Sequence, residues 1–75
     1  IFDGDIAFIK KQSDLENGEI GAILIDNEAT LKRFYRDKGT IILQAENRDI
    51  PGWPRVFTNG NLMILGKLVG IYSRR

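Results

Sequence analysis

The sequence contains no cysteine and no histidine, and its two serines are Ser13 and Ser73. Without histidine, these residues alone cannot form a Ser-His-Asp or Cys-His catalytic site. Without cysteine, they cannot form a disulfide, a zinc knuckle or an iron–sulfur site. A metal ion would need carboxylate ligands alone, and the ten acidic residues are scattered along the chain. We therefore expect neither a metal ion nor another cofactor.

Long apolar runs and a strong charge imbalance are also missing. No apolar run approaches the roughly 20 residues that span a bilayer, and no secretory signal is visible at the N-terminus. Eleven basic and ten acidic residues leave a net charge of +1, which by itself predicts no polyanionic partner. We expect a cytoplasmic protein with no membrane partner. Its 75 residues allow a single domain over 1–75, and because it begins at Ile1 we expect an N-terminally truncated piece of a longer protein.

The dominant hydrophobic period is two, which is typical of β-strands. Strands are predicted over Ile6–Ile9, Ile20–Ile25, Glu28–Tyr35, Thr40–Gln44, Arg55–Phe57 and Leu62–Ser73. The first of these reads as a strand that is buried on both faces. No window has a convincing helical period. The pattern therefore predicts an all-β domain, with a small, strongly curled antiparallel sheet or a partial barrel.

Turn residues separate these strands. Asp26 and Asn27 are good candidates for the positive-φ positions of a tight hairpin, and Arg36–Gly39 is the next turn. Ala45–Pro54 contains both prolines and predicts an irregular loop. Gly66 and Gly70 interrupt the last strand, which suggests a bulge or a close approach of backbones.

Lys32 is the most interesting candidate for chemistry. By strand alternation it shares a face with Thr30 and Phe34, while its immediate neighbours point the other way. A lysine among apolar side chains is partly desolvated, which lowers its pKa and allows the neutral amine to act as a base. That is the requirement of a Ser–Lys dyad. The alternative is a strand lysine whose amine reaches out to water.

Other candidates are weaker. Ser13 lies in a polar turn and Ser73 near a chain end, and neither position resembles a prepared nucleophile. The run Lys32-Arg33-Phe34-Tyr35-Arg36, with Trp53, would allow single-stranded nucleic acid to stack, although the near-neutral charge argues against it. Asp3-Gly4-Asp5 lacks the further ligands of a metal or phosphate loop, so we interpret it as a turn before the first strand.

The order of segments resembles the C-terminal domain of LexA-type repressors, the family that includes UmuD and the self-cleaving phage repressors. The resemblance covers essentially the whole chain, and the block Ala29-Thr30-Leu31-Lys32-Arg33 makes it specific. The matching segments are Asp3–Ile9, Asn17–Leu24, Glu28–Phe34, Leu43–Asn47 and Ile64–Ile71.

The resemblance implies a serine–lysine autopeptidase that is joined to a DNA-binding domain and responds to DNA damage (the SOS response). Lys32 aligns with the general base, and Ala29, Thr30 and Leu31 would lie near the site. The nucleophilic serine, the cleavage site and the DNA-binding domain would all lie upstream of Ile1. The implied partners are a second copy of the chain, the protein's own cleavage segment and a recombinase filament. The implied dimerisation segment contains Leu65, Lys67, Leu68, Val69 and Ile71.

Two departures from the family pattern concern the irregular loop. Ala45 stands where the family often has proline, and Pro51-Gly52-Trp53-Pro54 is a variant of the loop before the next strand.

Two alternative functions remain at this point: an oligomerisation domain that descends from such a peptidase but no longer cleaves, and a small β nucleic-acid-binding module. Signal peptidases share the Ser–Lys chemistry, but their motif around the lysine differs.

Overall fold

The structure is a computed structural model that describes residues 4–47 and 49–73. In this part of the chain, six strands form one antiparallel sheet in the order β1-β6-β2-β3-β4-β5. The strands are β1 (Ile6–Lys11), β2 (Ile20–Ile25), β3 (Glu28–Asp37), β4 (Thr40–Gln44), β5 (Arg55–Thr58) and β6 (Met63–Tyr72), and a 3-10 helix spans Asn59–Asn61. β1 and β5 form the two edges, so the sheet is not closed into a barrel. The predicted all-β antiparallel fold is confirmed.

Turn chemistry fixes the β2–β3–β4 meander. Asp26 and Asn27 have φ values of 50° and 66°, as the hairpin prediction required. β3 continues two residues further than predicted, and its turn is made by Lys38 and Gly39, whose φ values of 51° and 80° fit a second tight hairpin. Gly4 lies in a turn before β1 with a φ of 88°, while Asp3 lies outside the described residues.

The core lies on one face of the β2–β5 part of the sheet. Its fully buried side chains are Ile23, Phe34, Ile41 and Leu43. These positions alternate with less buried ones along β2, β3 and β4, as a sheet with one packed face requires. Leu15, from the loop before β2, covers this face as well.

The first strand differs from its prediction. Ile6 and Phe8 are 45% and 53% exposed, so the prediction that this strand is buried on both faces is wrong. The reason is its place in the sheet, because among the described residues β1 lies at an edge and pairs with β6. Apolar composition predicted the strand but not its position.

The glycines of β6 lie next to irregular pairing, as predicted. The register between β6 and β1 shifts by one residue at Val69, and that between β6 and β2 shifts at Leu65. A Cβ atom at Gly66 would lie 2.5 Å from the backbone oxygen of Lys10, so this position also marks a close approach of two backbones. The bulges bend β6 so that it can pair with two strands.

Candidate active site around Lys32

Lys32 lies in the middle of β3 on the packed face of the sheet. Its cross-strand partner on β2 is Gly21, and two residues further along the same face is Phe34, which is fully buried. The expected sharing of a face with Phe34 and Thr30 therefore fits the structure. This location places an amine at the border of the hydrophobic core.

The amine of Lys32 is fixed by neighbouring oxygen atoms. Its Nζ donates a hydrogen bond to Oγ1 of Thr30 at 2.7 Å and a second one to the carbonyl oxygen of Leu31 at 3.1 Å. Both partners belong to β3 itself, so the strand backbone defines where the amine stands. The family block around Lys32 therefore also supplies the contacts that orient its side chain.

Partial burial changes the acidity of this amine. Desolvation lowers the pKa of Lys32 below its ordinary value, because an environment poor in water disfavours the charged form. The carboxylate of Glu28 on the same strand opposes this effect and raises the pKa, but it is the smaller influence. The net result is an amine that loses its proton more readily than an exposed lysine does.

An open groove of about 380 Å³ borders Lys32. Apolar side chains form much of its wall, which suits an extended peptide that needs a partly dry surface. The residues that line it are Ile20, Ala29, Thr30, Leu31, Lys32, Ala45, Glu46, Asn47 and Ile50. The three residues expected near the site from the resemblance, Ala29, Thr30 and Leu31, all border this groove.

Trp53 is a neighbour of Lys32 that the sequence pattern did not predict. The Nζ atom of Lys32 lies 4.7 Å from the centroid of the Trp53 ring. The two residues are 21 positions apart, and Trp53 belongs to the irregular loop before β5. Hydrophobic periodicity gives no information on where such a loop returns to the sheet, so only the fold brings them together.

The described serines do not complete the site. Ser13 and Ser73 are both exposed, and neither borders the groove of Lys32. The nucleic-acid platform does not form as such either, since Phe34 is fully buried and cannot stack on a base. Two of its basic side chains are held in ion pairs, Arg33 with Glu46 and Arg36 with Asp14.

A larger cavity, of about 520 Å³, lies between the loop that joins β1 to β2 and the middle of β6. An ion pair of 2.5 Å joins Nζ of Lys67 to a carboxylate oxygen of Glu19 at its wall. Each partner stabilises the charged form of the other, so the pKa of Glu19 is lowered and that of Lys67 is raised. The pair ties β6 to the residue before β2, and the raised pKa of Lys67 keeps this amine protonated, in contrast to the lowered pKa of Lys32.

The expected dimerisation segment runs through β6. Leu65 and Lys67 are half-buried; Leu65 lies at the irregular pairing of β6 with β2, and Lys67 pairs with both Gly21 of β2 and Lys10 of β1, so Lys67 is not at a free strand edge. From Leu68 to Tyr72, β6 pairs with β1. We call β1 together with Leu68–Tyr72 the wing. Its exposed apolar side chains are Ile6, Phe8, Ile9, Val69, Ile71 and Tyr72.

Metal-binding clusters and membrane-spanning helices are both missing from the described residues. Over residues 4–47 and 49–73, no group of three or more acidic side chains comes together in a way that could hold a metal ion. In the same part of the chain there is no helix of the length and apolar character that crossing a bilayer requires.

Comparison with known proteins connects this site to a family. The family model described as "Peptidase S24-like" matches residues 1–69. LexA repressors of Clostridium novyi and Clostridium botulinum are 46% and 47% identical to the chain over 74 residues, which is 99% of this chain and 35% of each repressor. The LexA repressor of Acetivibrio thermocellus is 43% identical over 74 residues, 99% of this chain and 33% of that protein.

The chain thus spans about a third of the length of these relatives. The match nevertheless includes every strand of the sheet and the whole surroundings of Lys32. The resemblance found in the sequence, the antiparallel sheet and the similarity to these repressors agree with one another. The chain belongs to the Peptidase S24-like family and is a LexA-family C-terminal domain.

Proposed function

We propose that this chain is the catalytic and dimerisation domain of a LexA-type repressor that cleaves its own polypeptide through a Ser–Lys dyad. Lys32 is the general base. The nucleophile is a serine upstream of Ile1 in the parent protein, and the cleaved bond lies further upstream. The DNA-binding domain and the contact with a recombinase filament likewise belong to the parent protein, which we place in the cytoplasm.

The chemistry follows from the state of the Lys32 amine. In its neutral form, the amine accepts the proton of the serine hydroxyl while the serine oxygen attacks the carbonyl carbon of the peptide bond. The resulting ammonium then gives this proton to the departing amine, and an acyl-serine remains. Water hydrolyses the acyl-serine with the neutral amine again acting as base. A lysine can perform both transfers without histidine.

The observation that carries the proposal is the environment of Nζ. A half-buried amine that contacts Oγ1 of Thr30 at 2.7 Å and borders an open peptide-sized groove combines position with lowered basicity. A lysine that only reaches out to water has neither feature. The alternative of a non-cleaving oligomerisation domain does not require this arrangement.

The test is self-cleavage of the parent protein at alkaline pH. We expect Lys32→Ala to lower the rate by a factor of about 100 or more, which is the usual contribution of a general base. Lys32→Arg should be nearly as slow, because a guanidinium keeps its proton. Lys11→Ala, an exposed lysine at the end of β1, is the matched control and should cleave normally. Cleavage of Lys32→Ala at the normal rate would refute the dyad.

Dimerisation is proposed to use the wing. Its two strands present six apolar side chains to solvent. Beyond Lys67, the far edge of β6 can also pair with another strand. A second copy of the same chain would cover both features with a self-complementary contact.

A further inference from the structure

Trp53 occupies an unusual position between two cations. Nζ of Lys32 lies 4.7 Å from its ring centroid, and the guanidinium carbon of Arg55 lies 5.2 Å from it. The ring is half-buried and packs against the hydrophobic core cluster, so its orientation is restrained. An amine that acts as a base thus stands in contact with an aromatic ring whose place is fixed.

The contact acts differently on the two protonation states of the lysine. The face of an indole ring carries partial negative charge and attracts an ammonium, and tryptophan does this more strongly than tyrosine or phenylalanine. A neutral amine experiences little of this attraction. The ring therefore favours the charged form, whereas the apolar volume that it occupies favours the neutral form by excluding water.

We propose that Trp53 is a positioning residue for Lys32. The indole face of Trp53 holds the Lys32 ammonium beside Thr30 and sets the pH at which this amine loses its proton. The inference rests on the proposed function of Lys32 as the base. The amine is held from two sides, by the hydroxyl oxygen of Thr30 and by the ring of Trp53. When the ammonium gives up its proton to act as a base, it also loses its attraction to the Trp53 ring.

The other charged groups around Lys32 lie on β3 itself, in the hairpin before it, on β5 and in the loop after β4. Glu28 lies on β3 itself, and Asp26 in the preceding hairpin lines the same cavity as Trp53 and Arg55. Glu46, from the loop after β4, borders the groove and pairs with Arg33. Arg55 also contacts the Trp53 ring, so the double variant Trp53→Leu/Arg55→Gln and the single variant Arg55→Gln show whether a shift in the Lys32 titration comes from the ring or from Arg55.

The experiment separates the ring's π face from its volume. Trp53→Leu keeps an apolar side chain over Lys32 but removes the π system, and Trp53→Phe keeps a weaker one. Tyr35→Leu is the matched control, because it removes an aromatic ring from the opposite face of β3. For the titration, each variant is made in the parent protein with its proposed upstream nucleophilic serine replaced by alanine, and the lysine ε carbons are labelled with ¹³C. The Lys32 signal is assigned by its loss in Lys32→Arg.

We expect Trp53→Leu to lower the midpoint of the Lys32 titration by about 0.5 pH unit. Trp53→Phe should lower it by less, and Tyr35→Leu should leave it unchanged. The pH midpoint of self-cleavage should move with the titration midpoint in every variant. An unchanged or raised midpoint in Trp53→Leu would overturn the inference, and if that variant does not fold, an unchanged midpoint in Trp53→Phe would do so.

The titration is read without catalysis, which keeps the two proposals separate. If Lys32→Ala cleaves normally, the role of Lys32 as a base fails, yet the midpoint still decides whether the ring stabilises the ammonium. If Lys32→Ala does not cleave but Trp53→Leu titrates like the unchanged protein, the dyad stands and the role of Trp53 is refuted.

Discussion

The two parts of the sheet contain similar apolar strands and expose them very differently. In the β2–β5 part, Ile23, Phe34 and Leu43 are 0% exposed, whereas in the wing Phe8 and Val69 are 53% and 58% exposed. The middle strands have partners on both sides and a loop residue, Leu15, that covers their packed face. The wing lies at one end of the sheet, where β1 has a neighbouring strand on one side among the described residues.

This difference fits the two proposed tasks, catalysis and dimerisation. The packed part holds Lys32 at a fixed place beside Thr30 and Trp53, as the proposed base requires. The wing contributes exposed apolar area, which contributes to stability only when something covers it. Substitutions in the two parts should therefore have different consequences, and three of them test the comparison.

The largest change in stability is expected from Phe34→Ala in the packed part. Removal of a fully buried aromatic ring should lower the free energy of unfolding by about 3–5 kcal/mol, since both the burial and the packing around it are lost. Val56→Ala on β5, where the side chain is 67% exposed, is the control and should change it by no more than about 0.5 kcal/mol. Urea unfolding of the two variants decides this, and equal effects would contradict the assignment of the core.

An intermediate change is expected from Gly66→Ala, where the wing joins the packed part. The added Cβ would lie 2.5 Å from the backbone oxygen of Lys10, so the strands must separate, at a cost of about 1–3 kcal/mol. Gly70→Ala in the same strand is the matched control, because its Cβ would meet a ring carbon of Phe8 at an ordinary 3.8 Å. Thermal unfolding should separate these variants, and a harmless Gly66→Ala would argue against the close pairing of β1 with β6.

The smallest change in stability is expected from Val69→Asp in the wing. Because this side chain is exposed in the single chain, unfolding of the monomer should change by no more than about 0.5 kcal/mol. Dimerisation should weaken by about tenfold or more, since a charge would replace an apolar contact. Sedimentation equilibrium measures this, with Val56→Asp as an exposed control outside the wing. Unchanged association of Val69→Asp would remove the wing from the proposed interface.

The sequence pattern predicted the strands well because alternation and turn residues act locally. β2 and β4 have the predicted limits, and the hairpin at Asp26 and Asn27 has the positive φ values that its residue types favour. Strand order depends on contacts between residues far apart in the chain. The burial of β1 was therefore predicted wrongly, since the same apolar run fits an inner strand or an edge.

The surroundings of Lys32 could be predicted in part for the same reason. Alternation predicted that Lys32 shares a face with Thr30 and Phe34, whereas its role as the base is an implication of the family resemblance and stays a prediction. The sequence pattern assigns Trp53 to a possible stacking surface for nucleic acid and gives no sign that this ring contacts Lys32. Its position depends on how the loop before β5 folds back over β3, for which the residues of the loop provide no periodic signal.

The measurement that tests the central claim most directly is the pH dependence of self-cleavage in the parent protein, compared with the titration of Lys32. Burial disfavours the ammonium, so the folded pKa of Lys32 lies below its ordinary value. The neutral fraction, and with it the rate, should rise with pH through this lowered pKa and then level off. The account predicts that the midpoint of the rate coincides with the midpoint of the Lys32 ε-carbon titration. A rate whose midpoint differs from that of Lys32 would contradict the claim that Lys32 is the base.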